Sequence, residues 1–251
     1  MIFALHSRRR WTAALFLLTA PAAAHAQLVP DVSGGVELAT DESRRGLSWS
    51  ENQLSASGDA SVGILGFDAS VRVAMTRESA RHAGADTVFD LEAGRRFGIG
   101  ALNLRGFVTG HVFTGAARNM DYVELGADGN FSFGPLQLNA GAAYAPDQGP
   151  IGGDNLYLHA GARVGIPSTP FTVLGSVGRT TGSNDDARSA RLRPAGDYTD
   201  WRIGVEHSTG ALTLGVDYIG TDIDTNRAAA SPYADLRHSG NRVLGRARLS
   251  F

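Results

Sequence analysis

Apolar and polar side chains alternate with a period of two residues along most of this chain. Between positions 67 and 76, Phe67, Ala69, Val71, Val73 and Met75 interleave with Asp68, Ser70, Arg72 and Thr76. An extended strand places the first set on one face and the second on the other. The same pattern runs through Val32 to Asp41, Gln53 to Val62, Phe89 to Gly94, Leu102 to His111, Val123 to Phe133, Leu136 to Tyr144, Leu156 to Ile166, Trp201 to Glu206 and Leu212 to Tyr218, and more weakly through Phe171 to Arg179. The last strand, Arg242 to Phe251, sets Val243, Gly245, Ala247, Leu249 and Phe251 against Arg242, Arg246, Arg248 and Ser250. About twelve strands follow, an even number of the kind that closes a bacterial membrane barrel.

The connections carry a second period. Tight turns at Gly63-Ile64-Leu65-Gly66, Gly98-Ile99-Gly100, Gly134-Pro135, Pro167 to Pro170 and Thr209-Gly210-Ala211 alternate with longer polar loops. Short periplasmic turns and long outer loops alternate in this way in outer-membrane barrels. The loops are expected at 78–86, 114–121, 145–155, 180–199 and 221–241. Charge agrees with this reading, because an Arg facing lipid at the membrane midplane costs about 2–4 kcal/mol and the apolar faces contain none except Arg95 near a short turn and Arg179 near a long loop, at strand ends where the penalty fades. The fold class predicted is an all-β, transmembrane antiparallel β-barrel of about twelve strands.

The start of the chain departs from the pattern. Arg8-Arg9-Arg10, an apolar run from Trp11 to Ala20, and Ala24-His25-Ala26 read as a cleaved secretory signal peptide over 1–26, with the barrel over 27–251. The apolar run is about half the roughly twenty residues a membrane-spanning helix needs. Composition narrows the chemistry further. There is no Cys and no Lys, which removes disulfides, thiolate nucleophiles, Schiff bases and phosphate-loop lysines. With a formal charge of −2, nucleic acid is not an expected partner.

With apolar faces outward, the polar faces line the interior and supply the candidate pore-lining residues. These are Glu37, Asp59, Asp68 and Arg72 on the first strands, Asp90, Glu92, Arg105, Glu124 and Asp128 on the next, and Arg163, Arg202, Glu206 and Asp217 beyond them. Arg242, Arg246 and Arg248 complete the set. Because the first and last strands of a barrel adjoin, the terminal arginines are expected to face Glu37 and Asp59 across the seam. Charges of both signs on opposed walls orient polar solutes and select ions. The alternative is that such pairs fill a narrow bore, since about twelve strands enclose less room than a sixteen-stranded porin. Tyr122, Tyr144, Trp201 and Tyr218 stand near strand ends, where interfacial aromatic girdles belong; Trp49 falls in a loop with no evident role.

The first loop carries a more specific pattern, Thr40-Asp41-Glu42-Ser43-Arg44-Arg45-Gly46-Leu47-Ser48. Asp41, Arg45, Gly46 and Ser48 resemble the first-hairpin motif of the TorF-type porin family of Gram-negative outer membranes, although Glu42 and Arg44 stand where that family usually has aromatic residues. The resemblance implies an outer-membrane channel of undefined substrate. From the residues themselves, Arg44 and Arg45 with Asp41 and Glu42 either form an ion-pair cluster that pins the first loop or narrows the mouth, or stay solvated.

No enzyme is expected. His207-Ser208 are adjacent on a strand and so point to opposite faces, and His111 and His159 lack an evident Ser partner and orienting acid. No cofactor or metal is implied, because the calcium-like start at Asp222-Ile223-Asp224 has Arg227 at its turn position and Tyr233 at its closing position. The function expected is passive diffusion of small polar or charged solutes through a porin-like outer-membrane channel. Its expected partners are outer-membrane lipid and, through the strand ending at Phe251, the barrel-assembly machinery. The alternative is a non-conducting structural or adhesive barrel that binds partners through its outer loops.

Overall fold

In the computed structural model, which describes residues 30–226 and 231–251, the alternating segments close into one antiparallel barrel. The expected signal peptide over 1–26 lies outside the described residues. The chain enters through β1 (Asp31–Ala39), forms a small separate hairpin from β2 (Ser43–Arg44) and β3 (Leu47–Ser48), and returns to the wall as β4 (Ser55–Ile64). It continues as β5 (Phe67–Ser79), β6 (Ala85–Ile99), β7 (Leu102–Thr114), β8 (Tyr122–Phe133), β9 (Leu136–Gln148) and β10 (Gly153–Gly165). The circuit ends with β11 (Phe171–Thr181), β12 (Tyr198–Thr209), β13 (Leu212–Thr221) and β14 (Arg242–Ser250), which pairs with β1.

Apart from the hairpin, every strand pairs with the next in sequence, and the seam runs from Gly35↔Ser250 to Ala39↔Arg246. Phe251 extends it through mutual backbone hydrogen bonds with Gly34 at 2.9 and 3.0 Å. Closure leaves no free sheet edge, which a strand in hydrocarbon could not tolerate.

The burial pattern is inverted relative to a water-soluble protein. On β12, Ile203 is 63% exposed and Val205 is exposed, whereas Glu206 is 3% exposed. On β5, Phe67 and Val71 face out while Asp68 is buried. A belt of outward Val, Leu, Ile and Phe is stable only against hydrocarbon. Among the described residues no helix is long and apolar enough to cross a membrane.

β9 reaches further than the expected loop at 145–155 allows, because of one side chain. Pro146 has no N–H to give the ladder at the position opposite Val123. The Gln148 amide fills in, accepting from Val123 N and donating to Val123 O, both at 2.9 Å. The strand continues past a residue that would otherwise end it.

Candidate functional site

Residues 42–52, between the first two expected strands, were expected to be an outer loop, and they fold into the barrel. Arg45 and Gly46 are the two central residues of the β2–β3 turn, both with positive φ, at 50° and 74°. That combination is the type I′ turn whose twist suits a two-residue hairpin. Gly46 is required twice over: a Cβ there would also lie 2.5 Å from Thr221 Cγ2 and 2.8 Å from Asp200 Cβ. The hairpin tip is thus pressed against the β12–β13 wall.

The foot of the hairpin is Asp41. Its carboxylate accepts from Ser48 Oγ at 2.5 Å, Ser50 Oγ at 2.9 Å and Arg242 Nε at 2.8 Å. Arg242 also donates to Gly46 O at 2.9 Å and Ser43 Oγ at 3.0 Å, so one wall arginine holds both foot and tip. Tyr198 donates its hydroxyl to Arg45 O at 2.9 Å. Each residue of the Asp41, Arg45, Gly46, Ser48 motif therefore shapes this inserted hairpin or anchors it. Gly46→Val, with about 1–2 kcal/mol of left-handed backbone strain added to the clash, is expected to lift the hairpin off the wall. A red-shifted Trp49 emission in a Trp201→Phe background would register this, and an unshifted spectrum would count against it.

The hairpin's charges reach across the lumen. Arg45 pairs with Glu124 on β8 at 2.6 Å, and its guanidinium lies 4.6 Å from the Tyr157 ring centroid. Arg44 pairs with Asp90 on β6 at 2.7 Å and lies over Trp49 at 4.2 Å. Glu42 takes both terminal nitrogens of Arg72 at 2.9 Å. Burial works to raise the Glu42 pKa, but Arg44 and Arg72 outweigh it and hold the carboxyl below its ordinary value. Between the two acceptors, His111 approaches Asp90 at 2.7 Å and Glu124 at 3.4 Å. The open choice between a pinned and a solvated first loop resolves to the pinned one.

The remaining candidate pore-lining side chains lie on the interior face, tied to one another along the wall. Arg105 bridges Asp68 and Glu92, and Arg248 meets Asp59 at 2.6 Å across the seam. Arg246 joins Glu206, Asp217 and Glu37. Arg202 pairs with Asp217 at 2.7 Å, Arg163 with Glu206, and Asp128 with His159 at 3.2 Å. Several of these side chains lie flat over glycines. A Cβ on Gly204 would fall 1.9 Å from Asp217 Oδ1, and one on Gly215 would fall 2.8 Å from Arg246 Nε. Below the hairpin two cavities remain, of about 460 Å³ and 270 Å³, and Arg45, Arg72 and Tyr157 stand between them, lining both.

Above the hairpin the lumen is packed. Trp49 and Leu47 join Phe113, Tyr122, Ile151, Leu192, Tyr198, Tyr233 and Leu236 in a buried apolar core at the outer end. Tyr122 is therefore not part of an outer girdle: it is 4% exposed and stacks on His111 with centroids 4.4 Å apart. Tyr144 and Tyr218 do face outward. Trp49, 4% exposed, packs edge-on against His82 at 4.3 Å.

Two fully buried arginines knit the outer loops together. Arg81, in the β5–β6 loop, donates to the carbonyls of Ser48 (3.2 Å), Arg191 (2.8 Å) and Asp235 (2.8 Å) and to Ser239 Oγ (3.1 Å). Arg191, in the β11–β12 loop, donates to His82 Nδ1 (3.0 Å), Met120 O (2.6 Å) and Pro150 O (3.3 Å). Between them they reach all six long connections. Burial lowers the Arg191 pKa to about 10, and burial with the adjacent Arg191 holds the His82 imidazole well below its ordinary value. His82 is thus neutral and free to accept. Sequence reasoning missed both arginines, since an Arg in a polar loop gives no sign of burial. Among the described residues no group of three or more His, Asp or Glu side chains is arranged to hold a metal ion.

The model of a family described as a bacterial protein of unknown function (Gcw_chp) matches residues 23–241. No curated protein matches the sequence. Among solved structures, the chain is similar to one titled KdgM porin, at 8% identity and a TM-score of 0.55, over 89% of this chain and 99% of that one. It is also similar to the COG4313 outer membrane channel from Pseudomonas putida F1, at 11% identity and a TM-score of 0.51, over 90% of this chain and 97% of that one. At these identities the likeness is one of fold.

Proposed function

This chain belongs to the Gcw_chp family of bacterial proteins of unknown function, and from that membership and the lumen described above we propose that it is a porin-like outer-membrane channel of the TorF type. It passes small polar or charged solutes by passive diffusion, and the inserted hairpin holds it closed at the outer end. One observation carries this reading: a wall that is apolar toward lipid encloses a charged chamber of about 460 Å³, with its ion pairs drawn flat onto the wall. A barrel built only as a scaffold has no need to keep that space. Residues 1–26 serve as the export signal, and β14, with Val243, Leu249 and Phe251 facing out, is the segment offered to the barrel-assembly machinery.

Planar-bilayer recording tests the reading. Stepwise currents are expected, rare in the native protein and frequent when residues 41–52 are replaced by a short turn. A correctly folded barrel that stays silent in both forms would defeat it. The packed outer core favours a second reading for that case, a non-conducting barrel whose loops form one rigid surface for binding partners.

A further inference from the structure

The hairpin tip occupies a site that is built for a cation. Glu124 on β8 and Asp90 on β6 project from the two strands that flank β7, with His111 of β7 between them, and each carboxylate is met by a guanidinium from the chain's own first loop. The Arg45 guanidinium is bracketed by the Glu124 carboxylate at 2.6 Å and the Tyr157 ring at 4.6 Å, an acid and an aromatic face that both favour positive charge. Glu124 is 4% exposed, and its Oε1 is buried without a hydrogen-bond partner. Withdrawing Arg45 would take from the buried Glu124 carboxylate its guanidinium partner and leave it facing His111 at 3.4 Å, which is unfavourable. The hairpin can leave at low cost only if another cation takes its place. Arg45, Glu124 and Tyr157 all line the larger chamber, so such a cation reaches the cage from below the plug.

We infer that the Glu124–Tyr157 cage is a binding site for solutes bearing a guanidinium or similar planar cation, and that Arg45 is a tethered occupant which these solutes displace as the plug opens. This rests on the channel reading above and names the solute class for it. The cage accepts charge and planarity together: the carboxylate takes an N–H donor on Oε2, with Oε1 open to a second, while the ring takes the flat face. A neutral isostere offers the shape without the charge.

The test uses the whole barrel of residues 27–251 folded in detergent, with Trp201→Phe so that Trp49, packed beside Arg44, is the reporter. Methylguanidinium is titrated at constant ionic strength against methylurea. A saturable red shift of the Trp49 emission is expected with methylguanidinium only, and Glu124→Gln is expected to abolish it. Because Glu124→Gln could disturb folding, Tyr157→Leu is measured as well, with a weakened response expected. Equal shifts with methylurea, or no shift in the parent protein, overturn the inference. Currents without a methylguanidinium-specific shift leave the channel standing and remove the cage. A specific shift with no current in any form supports the cage and removes the channel.

Discussion

An Arg81→Met variant is expected to insert as a barrel and to lose its outer cap. The side chain is completely buried and donates to three backbone carbonyls and a hydroxyl on three different loops. Methionine fills a similar volume and removes the cost of burying the charge, but it strips the Ser48 and Arg191 carbonyls of their donor at about 1–3 kcal/mol each, while Asp235 O keeps only the Ser239 hydroxyl. The loss falls on the bonds that join the β1–β4, β11–β12 and β13–β14 loops to one another. The wall does not depend on Arg81, because its ladder is closed independently. Amide exchange should therefore accelerate across residues 40–54, 182–197 and 231–241 while the strands keep their protection. If the loops remain as protected as in the parent, the two-arginine account of the cap is wrong.

The second large effect concerns the other face of the wall. Ile203→Arg places a charge at the middle of β12, where the native side chain is 63% exposed. A destabilisation of about 2–4 kcal/mol is expected if that position faces the bilayer midplane, falling to about 0–1 kcal/mol for Phe133→Arg at the short-turn end of β8. Reversible unfolding of the barrel from lipid vesicles by denaturant measures both. In a water-soluble sheet an exposed Ile→Arg change would be nearly neutral and would improve solubility. The depth dependence therefore separates the two environments by sign as well as size.

Most of the wall could be read in the sequence because a strand with lipid on one side must alternate, and Asp68, Arg72, Glu124 and Asp217 all kept the polar phase the pattern gave them. The seam was readable for the same reason: strand closure brings Arg248 to Asp59 and Arg246 to Glu37 whatever the loops do. What escaped was everything whose partners lie far off in sequence and outside the alternation. Arg81 and Arg191 are more than a hundred residues apart, yet Arg81 bonds the Arg191 carbonyl. Nothing local marks either as buried. The first-loop motif marked the right residues but not that they turn inward, since a polar hairpin reads the same in water and in a charged lumen. Tyr122 was placed by its nearness to a strand end, although its phase, shared with Glu124, already pointed it inside.

The glycines beneath the charged side chains have a consequence for how such a bore changes over generations. Where Asp217 rests on Gly204 and Arg246 on Gly215, the free cross-section is set by bare recesses in the staves rather than by the length of the groups lying in them. A single methyl added to a recess would tilt its neighbour toward the axis. Calibre can thus be tightened by stages with every charge left as it is, so conductance and ionic preference are open to separate adjustment.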